Sequence, residues 1–162
     1  MPEHDNSEDL FAAPVFGEGE PVRITNSPHH EWPATFSPDG RWVAYDSQES
    51  GRREIYVVPF PGLGGRWQAS SEGGRFPRWS PDGKRLYFWR NRTLMEVPVR
   101  GSGNTLQFGE ARDVLNVPGR TGWNSYGMNA KGDAFLVLAT DPRLAQAPIS
   151  LFVNWQDELK RR

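Results

Sequence analysis

Few side chains in this sequence could do acid–base or metal chemistry. The three histidines are His4, in a polar and acidic N-terminal stretch, and the neighbours His29 and His30. Because adjacent residues rarely turn toward the same metal ion, this pair favours a solvated loop over a metal site. The sequence contains no cysteine, which excludes a disulfide framework, a thiol nucleophile and a thiolate zinc site. We therefore expect no metal and no cofactor.

Two enzyme classes can be tested by their motifs. A protein kinase needs a glycine-rich loop, a lysine on the next strand and the H-R-D and D-F-G strings, none of which occurs. A peptidase-type serine hydrolase needs G-x-S-x-G with a later Asp and His, but the nearest string, RGSGN at 100–104, is followed by no histidine. Asp39 and Asp82 could form a carboxylate pair, but each lies in a turn-forming tetrapeptide that accounts for it. We predict that the chain is not an enzyme.

The sequence contains more residues suited to ligand binding than to catalysis. Three segments have a similar composition: SPHHEWP at 27–33, SEGGRFP at 71–77 and GRTGWNS at 119–125. Each places an aromatic residue near a basic or imidazole group. The candidate ligand-binding residues are His30, Trp32, Arg75, Phe76, Arg120 and Trp123. Aromatic anchors beside arginine are typical of protein-binding hot spots. An aromatic that recurs in every repeat also commonly packs between repeats, so both interpretations stay open.

These residues belong to a repeating pattern. FSPDGRWVAY at 36–45 returns as WSPDGKRLYF at 79–88, and MNAKGDAFLVL at 128–138 is a weaker copy without the proline and the aspartate. In Ser-Pro-Asp-Gly, proline presets φ for a β-turn, aspartate bonds nearby backbone amides, and glycine adopts the left-handed conformation that closes the turn. The alternating side chains beyond the turn predict a strand. Each copy therefore predicts strand, tight turn and strand, with Gly40 and Gly83 at positive φ.

Two further series of segments complete the repeat. LFAAPV at 10–15, IYVVPF at 55–60, LMEVPV at 94–99 and a weaker ISLFVNW at 149–155 predict a third strand. PVRIT at 21–25, RWQAS at 66–70 and ARDVL at 111–115 predict a fourth. Four short strands in about 40–50 residues are typical of a β-propeller blade. The predicted fold is all-β, a partial propeller of about three and a half antiparallel blades with a short C-terminal helix.

The repeats give the predicted boundaries. They are a flexible tail at 1–9 and a propeller fragment at 10–162, divided into a half blade at 10–25, blades at 31–70 and 75–116, an incomplete blade at 122–155 and a helical tail at 156–162. The residues predicted to be buried are Phe36, Trp79, Met128, Ile55 and Leu94, and those predicted to stay exposed are Arg41, Lys84 and Asp133. Such a fragment spans about half a ring. We predict an open arc whose apolar end faces are bare or covered by a second copy in a homodimer.

Composition excludes other classes. With 36% apolar and 12% aromatic residues, the chain can bury a core and is globular. Its formal net charge of −1 indicates neither a nucleic-acid partner nor an anionic membrane surface. No apolar run approaches membrane-spanning length, so we expect no membrane segment.

The repeat resembles a known family. FSPDGRWVAYDSQESGRREIYVVPFPG, RWQASSEGGRFPRWSPDGKRLYFW and LMEVPV together resemble the WD40-like, Pro-Asp type propeller repeat of TolB-like proteins. Their order, with the closing LFVNWQDELKR, is similar to the C-terminal propeller of bacterial receptor-like serine/threonine kinases. This resemblance implies a sensor or interaction module that binds a protein, peptide or small ligand. It also implies an extracytoplasmic or periplasmic location, and missing blades supplied by the rest of a longer protein. The alternative is an accessory propeller of a prolyl-oligopeptidase-like serine hydrolase.

Overall fold

The computed structural model describes residues 8–62, 64–117 and 121–139, and no helix occurs among them. The strands are β1 (Phe11–Ala12), β2 (Val22–Arg23), β3 (Thr35–Phe36), β4 (Trp42–Ser47), β5 (Glu54–Pro59), β6 (Trp67–Gln68), β7 (Arg75–Trp79), β8 (Arg85–Arg90), β9 (Thr93–Ser102), β10 (Thr105–Phe108), β11 (Arg112–Asn116), β12 (Thr121–Met128) and β13 (Phe135–Ala139). The tail at 1–7, the strand at 149–155 and the helix at 156–162 lie outside the described residues.

The strands form antiparallel sheets in chain order. One four-stranded sheet has the order β3-β4-β5-β6, and the next has the order β7-β8-β9-β10, with β11 also paired to β9. Two-stranded sheets, β1-β2 and β12-β13, lie before and after them in the sequence. The prediction of an all-β fold built from antiparallel sheets of about four strands is therefore confirmed.

The two Ser-Pro-Asp-Gly segments form the predicted turns. They join β3 to β4 and β7 to β8, and their glycines have φ of 71° at Gly40 and 68° at Gly83. The Gly40 amide donates to the Ser37 carbonyl, and the Gly83 amide to the Ser80 carbonyl, each at 2.9 Å. A residue with a Cβ is strained in this region of φ, which explains why both copies have glycine there.

The weaker third copy forms the same turn with different chemistry. Gly132 has φ of 74°, and its amide donates to the Asn129 carbonyl at 3.0 Å. In the first two copies the serine hydroxyl and the aspartate carboxylate accept the two backbone amides that follow the turn. Here Asn129 Oδ1 accepts both, from Asp133 at 3.1 Å and Ala134 at 3.3 Å. One asparagine thus replaces the serine and the aspartate as the amide acceptor.

The middle strands have no solvent-facing side. All six residues of β4 are buried, although its side chains alternate in direction. Val43 and Tyr45 pack with Leu10 and Ile24 beside the first two-stranded sheet. The opposite side of β4 joins a core that includes Trp42, Ala44, Ile55, Val57, Trp79, Leu86 and Phe88. Each complete sheet is therefore covered on both faces, as in stacked propeller blades.

The burial predictions are confirmed at Ile55, Leu94 and Trp79, are met only in part at Met128, and are wrong at Phe36. Ile55 and Leu94 are fully buried, Trp79 is 9% exposed and Met128 is partly buried. The predicted exposed residues Arg41, Lys84 and Asp133 are exposed.

Phe36 is 47% exposed, which contradicts the prediction. Its partner in the ladder is Val43, so its ring lies on the side of the sheet that faces β1 and β2. Among the described residues, β1 pairs only with β2, so no further strand of that sheet covers the Phe36 ring. Its ring meets the edge of Phe60, with 4.9 Å between the centroids.

The second complete sheet has an unpredicted strand. β9 continues past Pro98 and forms a hairpin with β10, in which Leu106 pairs with Gly101. The predicted fourth strand, β11, pairs with the earlier half of β9, where Arg112 lies opposite Glu96. Two short strands therefore share the fourth-strand position.

No helix in the described ranges is long and apolar enough to cross a membrane.

Candidate binding site

Two of the predicted aromatic residues come together around an arginine. The guanidinium carbon of Arg53 lies 3.7 Å from the centroid of the Trp32 ring and 5.3 Å from that of Phe76. Trp32 precedes β3, Phe76 lies in β7, and Arg53 immediately precedes β5. The side chain of Arg53 is only 7% exposed. A buried cation is therefore held between aromatic rings from two neighbouring sheets.

Asp46 neutralises this cation. Arg53 Nε donates to Asp46 Oδ2 at 2.5 Å, Arg53 Nη2 forms an ion pair with the same oxygen, and Asp46 is fully buried. Burial raises the pKa of the Asp46 carboxyl, whereas the Arg53 guanidinium, the Phe76 amide and Arg75 counteract that rise. Removing Arg53 would leave a buried carboxylate with one remaining described hydrogen bond. The Asp46–Arg53 pair therefore holds the Arg53 side chain in place between the two rings.

The backbone of Phe76 is held in an unusual conformation. Its φ is 58°, a left-handed value that is uncommon for a residue other than glycine. The amide of Phe76 donates to Asp46 Oδ1 at 3.2 Å, and its carbonyl accepts the Tyr126 hydroxyl at 2.6 Å. The pairing register shifts at this point, between Arg75 and Arg78. Hydrogen bonds from the sheets before and after it thus orient the Phe76 ring toward Arg53.

The rim of this site is basic and exposed. The His30 ring lies 6.0 Å from the Trp32 ring, and both His30 and Arg75 are exposed. Arg75 is close enough to Asp46 and Arg53 to act electrostatically on both. We call the set of His30, Trp32, Arg53, Arg75 and Phe76 the arginine–aromatic site. It can offer a guanidinium to a carboxylate and aromatic edges to an apolar group.

The structure resolves four of the six candidate residues at this site. Arg120 and the side chain of Trp123 lie outside the described part of the chain. Trp32 and Phe76 do not occupy equivalent repeat positions, because Trp32 and Arg75 each lie four residues before the aromatic that precedes the turn. Both aromatic residues are partly buried, so each packs at the boundary between sheets and also reaches the rim.

Arg53 and Asp46 are not among the residues predicted from the sequence. Asp46 lies in an apolar strand, and Arg53 is the second member of an Arg-Arg pair in a loop. The available signal was the acidic residue inside a strand that is otherwise apolar, because a buried carboxylate needs a partner. The identity of that partner depends on the register between β4 and β5, where Asp46 pairs with Ile55.

Asp39 and Asp82 serve their turns, as predicted. The Ser37 hydroxyl donates to Asp39 Oδ1 and the Ser80 hydroxyl to Asp82 Oδ1, both at 2.5 Å. These serine hydrogen bonds are the main cause that lowers the pKa of each carboxyl. Both carboxylates are therefore engaged as acceptors within their own turns.

A second concave surface is less suited to binding. An open groove of about 590 Å³ lies between the outer strands of the two complete sheets, where Phe88 and Phe108 form part of its wall. Its arginine, Arg90, already pairs with Glu72 and Asp113. The positive charge of Arg90 is thus already neutralised by carboxylates of the same chain. Within the described residues, no group of three or more His, Asp or Glu side chains could hold a metal ion.

The chain is similar to known proteins over part of its length. No family model matches the chain. A protein named tricorn protease homolog 2, from Streptomyces coelicolor, is 39% identical over 77 residues, which are 46% of this chain and 6% of that protein. A solved structure assigned to TolB from Agrobacterium tumefaciens has a TM-score of 0.47 and 20% identity, covering 60% of this chain and 38% of the other. Neither relative is a kinase by name.

The chain thus spans a small part of the curated relative. Its stacked four-stranded sheets and the 39% identity identify a β-propeller region similar to that of tricorn-like proteins.

Proposed function

We propose that this chain is a non-catalytic propeller module that binds a polypeptide segment with an acidic side chain or a terminal carboxylate. The observation that carries this proposal is the arginine–aromatic site, where Trp32 and Phe76 flank Arg53 and the exposed Arg75 lies at the rim. Arginine pairs with carboxylates in a two-pronged geometry, and aromatic edges accept an adjacent apolar side chain.

Preorganisation supports this assignment. The Asp46–Arg53 pair and the two hydrogen bonds of the Phe76 backbone fix the aromatic rings before any ligand arrives. A rigid site loses less conformational entropy on binding, which favours affinity. Arg53 is neutralised by Asp46, so the charge offered to a ligand is that of Arg75, with His30 beside Trp32 as a further donor.

A second candidate function has the same binding role in a different kind of protein. In this alternative, the chain is an accessory propeller of a peptidase, which presents polypeptides to a catalytic domain elsewhere. The name of the Streptomyces relative, a protease homologue, favours this alternative over a kinase sensor. The missing G-x-S-x-G string means that this segment supplies no serine nucleophile of that type.

Fluorescence anisotropy with labelled peptides tests the proposal. The probe is a pool of six-residue peptides that contain one Asp or Glu next to an aromatic or aliphatic residue. We expect binding to weaken at least tenfold when Asp and Glu are replaced by Asn and Gln, because a charge-assisted hydrogen bond contributes about 1.5–3 kcal/mol. The variant Arg75→Gln should weaken binding of the acidic pool to a similar extent.

The matched control is Arg100→Gln, which removes the same charge from an exposed residue near the C-terminal end of β9. Arg100→Gln should leave the affinity unchanged. Equal binding of the acidic and amide pools, or equal losses in the two variants, would contradict the proposal. Incubation of the unlabelled peptides with the chain should yield no cleavage products by mass spectrometry.

A further inference from the structure

The two-stranded sheets β1-β2 and β12-β13 correspond to different strand pairs of a complete sheet. The β12-β13 hairpin contains the Asn129–Gly132 turn, which in the complete sheets joins the first and second strands. β1 and β2 contain the segments that correspond to the third and fourth strands of the repeat. Among the described residues, β1 pairs only with β2, and β13 pairs only with β12. Within the described residues, the β12-β13 sheet therefore ends at an unpaired second-strand edge and the β1-β2 sheet at an unpaired third-strand edge.

The complete sheets predict how these edges would align. In both, the residue two positions after the turn glycine pairs with the proline near the end of the third strand, as in Trp42 with Pro59 and Arg85 with Pro98. The same rule places Ala134 opposite Pro14. Leu136 then lies opposite Ala12, on the same face of the joined sheet.

The exposed apolar side chains occur where this joining would bury them. Leu136 is 78% exposed and Phe36 is 47% exposed. Their equivalents at the interface between the two complete sheets are Ala44 and Trp79, which belong to one buried core. Joining the halves would thus pack Leu136 against Phe36 and continue the interface that already exists between the complete sheets.

We infer that two copies of this chain complete each other's half blades, with β13 of one copy paired to β1 of the other. Each composite blade then has four strands, two from each copy, as in the β3-β4-β5-β6 sheet. This inference is independent of the peptide-binding proposal, because it concerns the strand edges and not the arginine–aromatic site. The competing occupant of the β13 edge is the segment 149–155 of the same chain, predicted from sequence as a third strand.

Cysteine cross-linking tests the register, since the chain has no cysteine of its own. Chains with the single substitution Ala12→Cys are mixed with chains that have only Leu136→Cys and are oxidised mildly. We expect a disulfide-linked species of twice the 18.3 kDa chain mass on a non-reducing gel. The control replaces Leu136→Cys with Phe135→Cys, whose side chain faces the opposite side of the strand and should not cross-link to position 12.

Light scattering measures the mass of the unsubstituted chain in solution, so the result does not depend on how well a variant folds. A mass of twice 18.3 kDa, together with the register-specific cross-link, supports the inference. A mass of 18.3 kDa at 100 μM would overturn it, as expected if segment 149–155 of the same chain covers β13. A dimer in which positions 12 and 135 cross-link as efficiently as 12 and 136 would also overturn it, because the register would then be wrong.

Discussion

Replacing Arg53 by methionine should destabilise the protein more than any other single change at the arginine–aromatic site. Methionine retains much of the side-chain length but removes the charge, so the fully buried Asp46 loses its ion pair. Removing one partner of a buried ion pair costs about 3–5 kcal/mol. Loss of the stacking on Trp32, at 3.7 Å, acts in the same direction.

The double variant Asp46→Asn with Arg53→Met separates the two effects. Asparagine keeps an oxygen that can accept the Phe76 amide but has no charge to be left unpaired. The double variant should therefore regain about 2 kcal/mol or more relative to Arg53→Met alone, since replacing both partners of a buried pair is much less costly. The recovered amount measures the coupling between the two side chains.

The pH dependence gives an independent check. Burial already raises the pKa of Asp46, and the loss of Arg53 should raise it further. A group whose pKa is raised in the folded state favours folding below its unfolded pKa and loses that contribution as pH rises through the folded pKa. The deficit of Arg53→Met should therefore shrink as the pH falls from 7 toward 4.

Urea unfolding followed by tryptophan fluorescence measures these quantities. The matched control is Arg92→Met, at an exposed arginine in the β8–β9 turn, which should change stability by about 0.5 kcal/mol or less. A loss below 1 kcal/mol for Arg53→Met, or a deficit that does not depend on pH, would refute the view that Asp46 depends on Arg53.

Two further predictions concern buried polar groups. Glu31 is 5% exposed, one of its carboxylate oxygens has no hydrogen-bond partner, and burial raises its pKa above the ordinary 4.5. Glu31→Gln should therefore stabilise the protein by about 1 kcal/mol at pH 8 in urea unfolding, an advantage that vanishes as the pH falls below 4.5. Ser80 is fully buried, and its hydroxyl accepts the Arg85 amide at 2.9 Å. Ser80→Ala should lower the stability by about 1–3 kcal/mol, whereas the exposed control Ser102→Ala should change it little, and equal effects would contradict the role of this hydroxyl.

The elements that sequence could predict are those with local causes. The turns at Gly40 and Gly83 follow from four adjacent residues whose chemistry fixes the backbone. The middle strands follow from apolar segments that recur with the repeat.

The features that the sequence could not predict are contacts between neighbouring sheets. Phe36 has the same local sequence context as Trp79, but Trp79 faces a complete sheet, whereas Phe36 faces a two-stranded one. Likewise, the contact of Arg53 with Trp32 and Phe76 joins three segments, and its geometry follows from the strand register and from the backbone of Phe76. No local pattern specifies such an arrangement.

The burial of β4 on both faces has a consequence for folding. A strand that is buried on both sides cannot leave either neighbour without exposing a core, so the stability of the β3-β4-β5-β6 sheet depends on its neighbours. Stability is then shared between adjacent units, as in linear repeat arrays, and loss of an end unit removes only one boundary. In a single, unpaired copy, amide hydrogens in β4, β5, β8 and β9 should exchange most slowly, and those in β1 and β13 most rapidly. The described part of such a copy would thus unravel from its two-stranded sheets toward its complete sheets.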